Sequence, residues 1–136
     1  VKMATNSHTN MVTQILCAEF FNQGLFEPHL EKICDIHRER RDVMMKCIAD
    51  MLPSNIKSVY PEGGLFTWVE LPERIDTTAL LKDAVEQKVA YMPGKEFFVE
   101  GQPIRSNCMR ISFGGIPPEK IVAGMERLAA VINSQF

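Results

Sequence analysis

The chain has 136 residues, a net charge of -2, 46% hydrophobic and 24% charged residues. That length holds one domain with a real core and falls short of two, and the near-neutral charge gives no general pull toward nucleic acid or an anionic membrane. No apolar run approaches transmembrane length and the start lacks a signal-peptide layout, while Val1 in place of Met is expected for a piece of a longer protein.

Residues 1–7 are polar and irregular. Thr9 or Asn10 then caps a helix carrying Val12, Ile15, Leu16 and Phe20 that stops near Gly24. Pro28 starts a longer helix ending before Pro53. Its outer side presents Arg38, Asp42, Lys46 and Asp50 at four-residue steps, a solvated face of alternating sign. Its inner side carries Ile33, Ile36, Val43, Met44, Cys47, Ile48 and Met51. Arg40 interrupts that apolar stripe, either as a structural pair or snorkelling stem or as a ligand contact.

After Pro53 the period changes from helical to alternating. Residues 57–60 and 65–71 read as strands joined across Pro61-Glu62-Gly63-Gly64, where the glycines serve turn geometry. The second strand, apolar on both faces except at Thr67 and Glu70, should be central. Asp76 or Thr77 caps a short helix with Leu80, Leu81, Ala84 and Val85 facing inward, and Val89–Met92 form a brief strand running into Pro93-Gly94. Pro117-Pro118 opens the last helix, whose seam is Ile121, Met125, Leu128 and Ile132. The pattern predicts an α/β (α+β) fold, a mostly antiparallel sheet of 57–60, 65–71, 89–92 and 108–113 with helices near 29–51, 77–88 and 118–133 packed on it. The helix near 10–23 should pack less completely.

Cys17, Cys34, Cys47 and Cys108 show neither CxxC spacing nor a disulfide framework, which points to a reducing, cytoplasmic setting. The three on predicted helices are expected to act as small hydrophobes. Cys34 and His37 share a helix face as half of a metal site, and no second pair completes it.

In Asn107–Phe113, read NCMRISF, Met109, Ile111 and Phe113 alternate with Cys108, Arg110 and Ser112. One face belongs on a core and the other lifts a guanidinium between the polar loop 102–107 and the Gly114-Gly115 turn. Arg110 is therefore either a solvated strand residue or part of a site. No nucleophile with a base, GxSxG, H-E-x-x-H, GxGxxG or phosphate-cradling loop is present, and His8, His29 and His37 all lie in the N-terminal third.

Three segments in order, PEGGLFTWVELP (61–72), VAYMPGKEFF (89–98) and NCMRISF (107–113), resemble the C-terminal domain of the class I/II aminotransferases, pyridoxal-phosphate enzymes of the aspartate aminotransferase superfamily. The nearest branch holds 2-aminoadipate and kynurenine-type enzymes and the aminotransferase-like halves of MocR-type regulators. HTN at 8–10 and ERRD at 39–42 resemble the segments that precede the first block, so the likeness spans nearly the whole chain.

The resemblance implies that Arg110 clamps the substrate α-carboxylate, with Tyr91, Phe97 and Phe98 flanking the substrate side chain or packing in the ordinary way. It also implies that residues 1–136 are the C-terminal small domain: a connecting segment and helix over 1–27 and a sheet-and-helix body over 28–136. The family's Schiff-base lysine follows a hydroxyl-rich stretch, and no lysine here has that context. The aspartate for the pyridine nitrogen and the aromatic stacking platform are missing too, since in the family they belong to a large domain. The resemblance thus implies an amino-acid and 2-oxo-acid aminotransferase, homodimeric and dependent on pyridoxal 5'-phosphate, of which this piece binds no cofactor and is inactive alone. No nucleic-acid or membrane partner is expected. Two rivals stand beside it. One is the effector-binding half of a regulator, marked by a winged-helix segment upstream. The other is a stand-alone binding domain, marked by a complete reading frame starting near Val1.

Overall fold

A computed structural model describes residues 10–99, 101 and 103–136. The readings made for residues 1–7, His8, Thr9 and Gln102 fall outside that set. The chain divides into two units, Val1–Ile36 and His37–Phe136.

In the first unit helix α1 (Met11–Asn22) begins where the Asn10 side chain accepts the Thr13 N–H at 3.2 Å. It ends in a Schellman turn, with the Leu25 N–H donating to the Phe20 carbonyl and the Gly24 N–H to that of Phe21. No residue of α1 is buried. Helix α2 (Phe26–Met51) starts ahead of Pro28, not at it. The first-turn N–H groups of a helix have no intrahelical partner, so a proline without one fits anywhere in that turn. Cys17 and Cys34 are exposed, against the expectation that they pack as small hydrophobes, whereas Cys47 and Cys108 are buried.

The second unit is built on a four-stranded antiparallel sheet of order β1-β2-β4-β3, with β1 Lys57–Ser58, β2 Phe66–Glu70, β3 Met92–Pro93 and β4 Cys108–Ser112. Helices α3 (Thr77–Glu86) and α4 (Pro118–Asn133) and a 3-10 turn, Gly94–Phe97, complete it. The core joins Val69, Met109 and Ile111 of the sheet to Met44, Cys47 and Ile48 of α2, Leu80 and Ala84 of α3, and Ile121, Met125, Leu128 and Ile132 of α4. Each fully buried Val, Ile, Leu or Met side chain among them stabilises by roughly 1.5–3 kcal/mol. The four-residue seam expected on α4 is buried throughout.

Two expectations are corrected at α3. Val85 is exposed, and the third strand covers Met92–Pro93 instead of 89–92. The first follows from the helical period, which puts Thr77, Leu80 and Ala84 on the buried face, and the second from how α3 ends. Lys88 takes a left-handed φ of 61°, and the N–H groups of Lys88 and Val89 return to the Val85 and Ala84 carbonyls. Val89 is thus spent on closing the helix. Pro93 is tolerated in β3 because β3 is a sheet edge.

Strand β2 is interior, as expected, but only one face is covered. Thr67 and Val69 are buried, and the Thr67 hydroxyl donates to the Val59 carbonyl at 2.7 Å. Phe66, Trp68 and Glu70 alternate onto a face that remains exposed or half-buried.

Candidate functional site

The less covered face of the sheet carries Arg110. Met109 and Ile111 of β4, with Phe113 just past its end, take the core positions, so the two-residue period leaves Arg110 and Ser112 outward. Cross-strand register sets Trp68 on one side of Arg110 and Met92 on the other, with Phe66 opposite Ser112. Opposed residues in a ladder share a face. An aromatic, half-buried row therefore forms around one guanidinium.

The Arg110 guanidinium carbon lies 4.0 Å from the Phe66 ring centroid and 4.6 Å from that of Phe97. Phe97 in turn meets Trp68 edge-on, with centroids 5.6 Å apart and planes at 81°. Among the described residues no hydrogen bond or ion pair engages this guanidinium. Ring contacts consume none of its N–H donors, which lie in the plane of the group. The donors remain for a planar anion, and a carboxylate accepts two of them in parallel.

An open cleft of about 220 Å³ adjoins these groups, lined by Phe66, Ala90, Tyr91, Met92, Arg110 and Ser112. Gly94 sets how the 3-10 turn meets β4. A side chain there would put a Cβ 2.6 Å from the Cys108 Cβ and 2.7 Å from the Cys108 carbonyl oxygen, so only glycine lets the 3-10 turn lie against β4 and deliver Phe97 to Arg110.

Of the aromatic residues singled out in the sequence, Phe97 touches Arg110 directly. Tyr91 shares the cleft lining, but it is buried and its hydroxyl donates to the Thr77 carbonyl at 2.6 Å. Burial, reinforced by the charges of Asp76 and Asp83, pushes its phenol far above the usual tyrosine range. Phe98 is half-buried just after the 3-10 turn and is not among the cleft-lining residues. From the sequence Phe66 and Trp68 have no site role and belong to a strand and to the first family-like block. Their signal was the F-x-W spacing, which puts two aromatic rings on one face of a strand.

A larger cavity, about 440 Å³, is lined by Lys57, Glu70, Glu73, Ile104, Arg105, Ser106 and Asn107. Its two cations face two carboxylates, and Arg105 already lies 3.5 Å from Glu70. Internal neutralisation makes it a poor anion site. Among the described residues no group of three or more His, Cys, Asp or Glu could hold a metal, so Cys34 and His37 gain no partners there. Lys32, Lys46, Lys57, Lys82, Lys88, Lys95 and Lys120 are all exposed, and none lines the Arg110 cleft. No helix of the described residues is long and apolar enough to cross a membrane.

Over residues 1–128 the sequence matches the family described as Aminotransferase class I and II. It is 37% identical over 135 residues to the aromatic-amino-acid aminotransferase 1 of Thermococcus litoralis, covering 99% of this chain and 32% of that protein. The crystal structure of a multiple substrate aminotransferase from Thermococcus profundus superposes with a TM-score of 0.91 at 35% identity, over 98% of this chain and 33% of that one. That of LysN, an α-aminoadipate aminotransferase from Thermus thermophilus complexed with N-(5'-phosphopyridoxyl)-L-leucine, gives 0.90 at 31% identity, with 98% and 33% covered. The chain thus spans about a third of the length of the relatives it matches.

Proposed function

This chain belongs to the class I and II aminotransferases, and from that membership we propose that it is the substrate-clamping C-terminal domain of a pyridoxal-phosphate enzyme. The parent, a homodimer, moves an amino group from an amino acid to a 2-oxo acid. Both substrates carry an α-carboxylate that the reaction leaves intact, so one cationic clamp serves each half of the exchange. Arg110 is that clamp.

The observation that carries the reading is the state of its guanidinium. It is flanked by Phe66 and Phe97, and no described carboxylate pairs with it. Aromatic neighbours partly desolvate the charge, and a charge-assisted pair gains strength as the local dielectric falls. The in-plane donor pair also fixes the carboxylate plane, which orients the α-carbon for reaction.

The carbonyl chemistry is the cofactor's own. The described residues do not fit a covalent pyridoxal phosphate site, because every described lysine is exposed and away from the cleft. This domain therefore contributes binding and orientation, with the cofactor held by other parts of the parent.

The test uses the full-length enzyme. Arg110→Lys keeps the charge but loses the two-pronged geometry. A charge-assisted hydrogen bond contributes roughly 1.5–3 kcal/mol, so kcat/KM is expected to fall by about one to two powers of ten. Arg110→Met falls further, and the cofactor absorbance stays near that of the parent in both. Arg105→Met, in the exposed ion pair with Glu70, has a much smaller effect. Turnover by Arg110→Met at the parental rate with unchanged KM would exclude the clamp and leave Arg110 as a solvated strand residue.

A further inference from the structure

Arg40 is not used by the clamp, yet it stands half-buried on α2 at the edge of the stripe that continues through Val43, Met44 and Cys47. Among the described residues it is paired with no carboxylate. Its guanidinium donates to the carbonyl of Gly114. We propose that Arg40 is a positioning residue for the carboxylate site, holding the exit of β4 and through it the placement of Arg110. The inference rests on the clamp reading of Arg110.

The backbone shows why that exit needs holding. Pairing of β4 with β2 ends at Ser112 opposite Phe66, followed by one more bond from the Phe113 N–H to the Leu65 carbonyl at 2.9 Å. Beyond it come Gly114 and Gly115, which have no side chains to anchor them. Gly114 is buried and pressed flat on Leu65, whose Cβ would lie 2.7 Å from any Cβ added there. A buried carbonyl at this point requires a donor, and Arg40 supplies it. The donor is itself fixed, because the next two turns of α2 sink Met44, Cys47 and Ile48 into the core.

Gly114 follows Arg110 by four residues, in the turn that ends β4, so freedom at the turn becomes freedom of the guanidinium. Small displacements of a binding group are costly when two hydrogen bonds must form in one plane. Arg40 therefore acts on carboxylate binding through Arg110, without touching the ligand.

A double-mutant cycle in the full-length enzyme tests this, with binding of 3-phenylpropionate, a carboxylate lacking the reacting amino group, measured by calorimetry. Arg40→Met is expected to raise its Kd about tenfold, and Arg40→Lys, which keeps a cationic donor, no more than about threefold. In an Arg110→Met background Arg40→Met adds less than about twofold, because the residue it works through is gone. If Arg40→Met fails to fold, Arg40→Gln, which keeps an N–H donor on a shorter stem, enters the same cycle. The proposal is overturned if Arg40→Met binds like the unaltered enzyme while Arg110→Met does not. It is equally overturned if Arg40→Met weakens binding by the same factor in both backgrounds, the mark of general loosening. Should Arg110→Met itself leave Kd unchanged, the clamp reading falls and this inference falls with it.

Discussion

Arg110 and Arg40 each break an apolar pattern, and the structure resolves the two breaks differently. The outward-facing arginine meets rings and keeps its donors, whereas the inward-facing one spends a donor on a backbone carbonyl. Alternation in NCMRISF was enough to assign the faces of β4, because a period of two leaves no other choice once Met109, Ile111 and Phe113 are inside. The rings around Arg110 were legible only in part: the resemblance offered Phe97 and F-x-W put Phe66 and Trp68 on one face, but that Phe66 and Phe97 meet the guanidinium depends on register and on a 3-10 turn, which are tertiary facts. Their contribution is measurable. Phe66 is 42% exposed, so Phe66→Leu should cost little stability. A partly desolvated cation–π contact contributes about 0.5–2 kcal/mol, so we expect the KM for amino acid to rise about two- to thirtyfold while kcat changes less. An unchanged KM would show that the ring merely packs beside the guanidinium.

Helix α3 ties the elements of the sheet unit together at its first residue. Asp76 caps it, accepting the Thr78 N–H at 2.7 Å, while the buried Thr77 binds the segment entering β4 through its N–H and hydroxyl, both to the Ser106 carbonyl at 2.8 Å. The Thr77 carbonyl receives the Tyr91 hydroxyl. The cap was foreseeable from Asp-Thr before an apolar period, and so were the lengths of α3 and α4 to within two residues. The end of α3 was not, because lysine is an uncommon choice for a left-handed position and gave no stop signal. The Thr77–Tyr91 link also sets a pH dependence. Burial raises the Tyr91 phenol above its ordinary 10.0, so the folded state holds that proton more tightly than the unfolded chain does. Its stabilisation is complete below that ordinary value and is lost as pH rises, at about 1.4 kcal/mol per pH unit for one proton. The Cys47 and Cys108 thiols, raised by burial from 9.0, act in the same direction. In urea unfolding, Tyr91→Phe should therefore cost about 1 kcal/mol at neutral pH and make the alkaline fall above pH ~10 shallower by one proton. An equally steep fall in the variant would assign it to other groups.

At the scale of the molecule, the proposed division of labour rests on which side chains are where. The chain spans about a third of its aminotransferase relatives, and it brings an arginine to a cleft but no lysine. A lysine that condenses with an aldehyde at neutral pH needs a depressed pKa, which burial or a neighbouring cation supplies. Lys95, on the turn that carries Phe97, is exposed and lies 4.0 Å from the Glu96 carboxylate. Lys32, Lys46, Lys57, Lys82, Lys88 and Lys120 are exposed as well. We therefore expect the 136-residue chain, mixed with an equimolar amount of pyridoxal phosphate and reduced with borohydride, to give slow and scattered labelling. Peptide mapping should find several lysines each modified well below one equivalent, and amino-acid turnover should be undetectable. Labelling should also fall as added free lysine competes, since exposed amines differ little from those in solution. One lysine carrying a full equivalent and resisting that competition would mean that this domain builds a cofactor site of its own. Confinement of this chain's role to orienting the carboxylate would then be wrong.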